Sequence, residues 1–428
     1  MHSRNRSNLH GQRAFIPVLV LALCASLRFA PNTAAATPGW AGEQLISTHA
    51  TGDGWEPAIA ADPYLPYVYA GWMQFSGNKV NIAVRVSADG GATWGTPKPI
   101  CATCGSQAQY DIVLATSTNG TVFATYMQRY KIGFSKSADH GATWSAPVTV
   151  SGSAWGDKPW IAVSADGTKV YIVWTSRGNL FATTSTDGGA SFSAPLRLTK
   201  ESGIYYFANG GTVLPNGTVV MVASEYPESG NNTKIPGQIN ITVFRSTNAG
   251  VSWTRSVPDV VSTGASYATS SVTTVASDNA GTLILVYSGS TAAGANGKVW
   301  IRRSIDSGAT WSAAAEMTTF AGGADATSVA AAGNPVVAGQ FTITWMDARG
   351  GGWNVWQSGS LDGGLTWSAD AKVSDATSGA AYKTSAGFGL PFGDYNMITI
   401  NSAGKTVTVS GEGDAAQTHG DIWVNRQF

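Results

Sequence analysis

The sequence predicts an all-β fold: a seven-bladed β-propeller of four-stranded antiparallel blades, its ring closed by the N-terminal strand. Three observations predict it. A phrase written "SADGGATW" at 87–94 returns as "SADHGATW" (137–144), "STDGGASF" (185–192), "STNAGVSW" (246–253), "SIDSGATW" (304–311) and "SLDGGLTW" (360–367). A spacing of roughly fifty to sixty residues marks one supersecondary unit repeated along the chain. Around each copy lie four short runs rich in β-branched or aromatic residues, divided by Asn-Gly and Asp-Gly pairs suited to turns. The chain also ends with a unit one strand short and begins with a strand that has no other home.

In the first unit the strands are "PAIAAD", "YVYAGWMQ", "NIAVRVS" and, after the phrase, "GTPKPI". The second unit offers "DIVLATS", "TVFATYMQ", "KIGFSKS" and "SAPVTV". Units three to six follow the same plan from near Trp160, Gly211, Val272 and Thr327. "YNMITIN", "TVTVSGE" and "DIWVNRQ" give three strands of a seventh unit, and "EQLIST" (43–48) supplies its fourth. That pairing closes the ring and removes two exposed edges, which would otherwise invite aggregation. The repeated phrase falls between the third and fourth strands of each blade. There its Asp or Asn can accept from backbone N–H groups, its Gly can take a positive φ, and its aromatic residue can pack between sheets. The phrases therefore read as staples of hairpins.

Residues 1–36 read as a secretory signal and 37–428 as one propeller domain. Arg4, Arg6 and Arg13 make a basic start, "AFIPVLVLALCASL" (14–27) a short apolar core, and "TAAAT" a small-residue cleavage region near Ala36. The apolar run is too short for a comfortable membrane span, so the mature protein is expected to be secreted, extracellular or periplasmic, and a monomer. Charged residues make up 12% of the chain and the formal net charge is zero, which gives no basic face for nucleic acid. Fifty-one Gly and 16 Trp fit tight turns and aromatic platforms. Cys101 and Cys104, in "CATC", are expected to close a small disulfide loop in an oxidising compartment. No metal site and no cofactor is expected.

In a four-stranded blade the staple turns share a face with the turns between strands one and two. The opposite face carries the blade-entry loops and the turns between strands two and three, which ring the channel mouth. Reading only those loops gives, among others, Trp55, Glu56, Asp111, Asp157, Lys158, Trp160, Tyr205, Asn209, Asp394 and Tyr395 at blade entries. The turns between strands two and three give Arg129, Arg177, Glu225, Asp347, Arg349, Trp353 and His419. Glu56, Asp111, Asp157, Asp325 and Asp394 stand at or just before innermost strands, so five blades would aim carboxylates at the mouth. Like charges that close must shift their pKa values or share a cation, and a raised carboxyl beside aromatic walls suits acid catalysis on glycosidic bonds. The bland alternative is that each Asp caps its own loop and that Arg349 pairs with Asp347.

The repeated S-x-D/N-x-G-x-S/T-W/F phrase resembles the Asp-box of the sialidase/BNR-repeat superfamily, and the resemblance spans nearly the whole mature chain. It implies a retaining glycosidase in which a Tyr nucleophile is helped by a Glu, an Asp is acid/base, and three Arg bind a sugar carboxylate. By loop position, Tyr395 or Tyr267 would be the nucleophile, Glu225 its helper, Asp111 or Asp157 the acid/base, and Arg129, Arg177 and Arg349 the triad. The Phe/Tyr-Arg-Ile-Pro motif of sialidases is absent. Its counterpart is "GWEPAI" (54–59), where Glu56 holds the analogous slot and would repel a substrate carboxylate. The expected function is an exported, sialidase-like glycoside hydrolase whose partner is a glycan or polysaccharide. The alternatives are a uronate polysaccharide lyase, with His49 or His419 as base, and a non-catalytic binding propeller.

Overall fold

The computed structural model describes residues 39–47, 53–105, 107–227, 237–263, 272–319, 323–349, 352–374, 395–412 and 420–428. Twenty-eight strands form seven four-stranded antiparallel sheets, and all the described residues belong to one unit, Ala35–Phe428. The innermost strands are Gly54–Ala61, Gln109–Thr116, Asp157–Val163, Ile204–Val213, Thr273–Ser277, Ala326–Gly333 and Asn396–Ile400. The fourth strand of the seventh blade is Gln44–Leu45, which pairs with Val424 and Trp423. Ring closure by the N-terminal strand is thus realised, extended by a bridge between Trp40 and Gln427. Val, Ile, Ala and aromatic side chains alternate along the inner strands and pack between neighbouring blades, as Ile112 and Leu114 do against Ala58, Ala60 and Tyr69. Among the described residues no helix is long and apolar enough to cross a membrane.

The repeated phrases do staple hairpins. In the first, Asp89 Oδ1 accepts from Thr93 N at 2.8 Å, Asp89 Oδ2 accepts from the Thr93 hydroxyl at 2.6 Å, and Ser87 Oγ accepts from Gly91 N at 2.8 Å. Gly90 and Gly91 have φ of 74° and 94°, a region where a side chain is strained. Gly90 N also donates to Pro66 O at 2.7 Å, which fixes the staple on the face of the strand one–two turns. A link not foreseen from sequence joins blade to blade. Lys136, Arg245 and Arg303 each precede the Ser of their own staple, and each donates to a staple carbonyl of the next blade: Gly188 O at 2.7 Å, Ser307 O at 2.7 Å and Gly363 O at 2.6 Å.

Two boundaries differ from expectation. The innermost strand of blade four begins at Ile204, well before Gly211, because a bulge between Ala208 and Gly210 lets "IYYFA" join the same ladder. The fourth strands are two residues long in six blades, but Thr254–Ser262 runs for nine. That long strand places Asp259 against blade five, where Arg302 Nη2 donates to it at 2.8 Å and the Tyr287 hydroxyl also donates. Cys101 and Cys104 form the expected disulfide.

Candidate active site at the channel mouth

The innermost strands of blades one, two, three and six each carry a bulge at the same place, marked by register shifts at Trp55/Ala58, Tyr110/Val113, Asp157/Trp160 and Thr327/Ala330. At each bulge one residue other than Gly sits in the left-handed region: Glu56 at 50°, Asp111 at 51°, Lys158 at 46° and Ser328 at 53°. Such a backbone costs energy and is held by its surroundings. In three of the four it turns a charged side chain toward its counterparts across the ring.

Lys158 is the hub. Its Nζ lies 2.6 Å from Asp111 Oδ1 and 3.1 Å from Glu56 Oε1, with 13% of its side chain exposed and both acids buried. The ammonium stands 5.0 Å from the centre of the Tyr395 ring and 5.6 Å from that of Phe207. One cation is thus shared among residues of blades one, two, four and seven, which fixes the cluster on the ring axis. Asp157 adjoins it. Its Oδ1 accepts from Lys158 N at 3.0 Å and its Oδ2 from the Tyr205 hydroxyl at 3.3 Å. Burial, reinforced by the charge of Asp111, raises the Asp157 carboxyl to about 6, against the pull of Lys158 and Tyr205. Burial and the nearby Asp157 charge push the Tyr205 hydroxyl upward.

Below the cluster the channel opens into a cavity of about 230 Å³ lined by all seven innermost strands, with Trp160, Asn209, Tyr395 and Asn396 in its wall. On the rim, Gly156 N donates to Tyr130 O at 2.8 Å, which sets Tyr130 (56% exposed) beside Trp155 (40% exposed), and the Tyr110 ring faces that of Tyr130 at 6.3 Å. Trp55 packs on Phe75 with ring centres 4.5 Å apart.

The structure thus brings together Glu56, Asp111, Asp157 and Tyr395, with Trp160 beneath. Other sequence candidates lie elsewhere. Arg349 donates to Asp347 at 2.7 Å and to Asp370 at 2.7 Å, and its guanidinium stacks 3.9 Å from the Trp356 ring, so it points outward along blade six. Asp347 also accepts from the Trp345 indole at 2.8 Å. Trp353 packs against a cluster containing Trp40 and Val355. Glu225 accepts from Asn240 at 3.0 Å, from Thr242 at 3.1 Å and from Arg255, all on its own blade. Asp325 accepts from Gly297 N, as a loop cap would. Arg129 and Arg177 are exposed at turn tips, with φ of 50° each. Asp394, His419, His49 and Tyr267 lie outside the described residues. Lys158 and Tyr205 stand among the mouth-loop residues of the sequence reading but received no role there, and Phe207 was not singled out. The signal for Lys158 was alignment of "WEP" with "DKP", which puts Lys158 in the slot of Glu56. Among the described residues no group of three or more His, Cys, Asp and Glu is placed to hold a metal ion.

Residues 64–256 match the family described as BNR repeat-like domain. No curated protein matches the chain by sequence. Solved structures similar to it include the intramolecular trans-sialidase of Ruminococcus gnavus, with 16% identity over 92% of this chain and 98% of that one, TM-score 0.48. The α-L-arabinanase of Penicillium chrysogenum has 13% identity over 90% and 98%, TM-score 0.48. The Hadza microbial sialidase Hz136 has 14% identity over 82% and 74%, TM-score 0.47. With its six staple turns and seven four-stranded blades the chain is a seven-bladed β-propeller, and its segment 64–256 is similar to the BNR repeat-like family.

Proposed function

We propose that the protein is an exported glycoside hydrolase working at the channel mouth. The observation that carries this reading is the Asp157 carboxyl, raised to about 6 and oriented by Tyr205 beside the Glu56–Lys158–Asp111 cluster. A carboxyl of that pKa holds a proton at mildly acidic pH and can release it within one catalytic cycle. Protonated Asp157 gives its proton to the glycosidic oxygen as the bond to the anomeric carbon breaks. Positive charge then develops on the sugar ring, next to two carboxylates that share a single ammonium. Water adds to the anomeric carbon and its proton returns to Asp157, so the cycle closes.

Exposed Tyr130 and Trp155 suit stacking on further sugar units at the rim. Export is part of the same proposal and is supported by the Cys101–Cys104 disulfide, since such bonds persist in oxidising compartments. The test is incubation of the purified chain with neutral, sialylated and uronate-containing glycans. New reducing ends that depend on Asp157 are expected. Unsaturated uronate ends would replace hydrolysis by elimination, and tight binding without turnover would make the propeller a binding module.

A further inference from the structure

The mouth face of blades two and three carries a ridge that the acid cluster does not use. The hairpin between Val122–Gln128 and Lys131–Ser137 turns on two residues, Arg129 and Tyr130, since Gln128 pairs with Lys131. A two-residue turn of this kind wants positive φ at both positions and is ordinarily filled by Asn-Gly. Here φ is 50° at Arg129 and 64° at Tyr130, and the next blade turns on Arg177 at 50° and Gly178 at 77°. A bulky residue in the left-handed region costs free energy. Burial does not offset that cost, because Arg129, Tyr130 and Arg177 are all exposed.

Hydrogen bonds join the two tips into one surface. Gly156 N donates to Tyr130 O at 2.8 Å and Ser176 Oγ donates to Trp155 O at 2.5 Å, so the Trp155–Gly156 segment bridges the two turns. The exposed rings of Tyr130 and Trp155 stand along this ridge. Arg129, Lys131 and Arg177 flank them, all exposed and none in an ion pair among the described residues. The connecting stretches 105–110 and 151–156 contain no charged residue to neutralise them. The ridge also leads to the acid cluster, because Gly156 adjoins Asp157.

Aromatic faces at the surface suit stacking on sugar rings, and uncompensated guanidinium groups grip anions through paired hydrogen bonds. At the centre, by contrast, Glu56 and Asp111 repel negative charge. We propose that this ridge binds an anionic glycan strand, its carboxylate or sulfate groups on Arg129, Lys131 and Arg177 and its sugar faces on Tyr130 and Trp155. The inference rests on reading the mouth as glycan-recognising and names the class of glycan. Calorimetric titration of the full chain tests it, in the Asp157→Asn background so that no probe is consumed. The probes are oligogalacturonate and its methyl ester, and sulfated galactan oligosaccharides and their desulfated forms.

At least one anionic probe is expected to bind more tightly than its uncharged counterpart, and which one does identifies the group recognised. An exposed ion pair accounts for up to about fivefold in affinity. Arg129→Gln and Arg177→Gln together should therefore weaken the anionic probe by about tenfold and leave its uncharged counterpart unchanged. Added salt should weaken that probe more in the parent than in the double variant. Trp155→Ala should weaken both forms of the probe, and thermal melts confirm that each variant folds. Equal affinity for charged and uncharged forms, no binding of any anionic probe, or arginine variants that bind it undiminished would overturn the proposal. Undiminished binding by Trp155→Ala combined with Tyr130→Ala would reduce the ridge to a patch of charge and overturn it as well. Selective binding without cleavage of any glycoside by the wild type would leave this inference standing and sink the hydrolase. Cleavage with no preference for an anionic strand would do the reverse.

Discussion

Lys158 Nζ lies 2.6 Å from Asp111 Oδ1, an ion pair that joins the bulge of blade three to that of blade two. Glu56 of blade one completes it. Lys158→Met keeps a long side chain but leaves two buried carboxylates without their cation. Removing one partner of such a pair costs about 3–5 kcal/mol. Urea unfolding at neutral pH should show a loss of that order. A loss below about 1 kcal/mol would mean that the cluster is solvated and does not hold the blades.

Asp157 behaves in the opposite sense to an acid stabilised by a partner. Its folded pKa of about 6 stands above the unfolded value near 3.9, so the folded state binds its proton more tightly. The stability it contributes is complete below pH ~4 and is lost as pH rises through about 6. Asp157→Asn should therefore be more stable than the wild type above that point, by on the order of 2 kcal/mol. Turnover of the wild type should decline as pH rises past the same value, and the variant should lose about 10²–10⁴-fold in rate.

The staple carboxylates titrate the other way. Thr310, through its hydroxyl and its backbone N–H, holds Asp306 down at about 2. Its contribution is present above the unfolded pKa near 3.9 and disappears as pH falls toward 2. The group is well exposed, so solvent screening keeps Asp306→Ala to a cost of about 1 kcal/mol at pH 7. Thermal melts of variant and wild type should differ at pH 7 and draw together at pH ~2.5.

Glu225 is held by Arg255, Asn240 and Thr242 within blade four. Glu225→Gln keeps the shape but removes the charge facing Arg255, and should cost about 1–3 kcal/mol. A double-mutant cycle with Arg255→Met should recover most of that as coupling between the two sites.

Blade number, staple position and ring closure were legible because they rest on periodic, local chemistry: a turn needs its Asp and Gly wherever it occurs. Glu56, Asp111 and Asp157 were legible as residues facing the mouth for the same reason, since strand position alone assigns their face. The hub was not. Lys158 gains its role from acids on two other blades; its own stretch, aligned with that of Glu56, marks the face it occupies but not those partners. Arg349 shows the reverse limit. Its loop is on the mouth side, but Asp370 and the Trp356 ring draw the side chain outward, a choice made by contacts that loop position does not encode. The inner-strand bulges were hidden too, because Glu56 and Lys158 are not residue types that announce a left-handed backbone.

Closure of the ring sets an order of events during synthesis. Ile422 N donates to Ser47 Oγ at 3.0 Å, a contact between residues 375 positions apart. The strand that completes the seventh blade is made first and must wait, unpaired, until Trp423 and Val424 leave the ribosome. Such distant contacts form slowly. Until then the nascent chain is an open arc with two sticky ends, and a chaperone that shields the segment around Gln44 would raise the yield of closed rings.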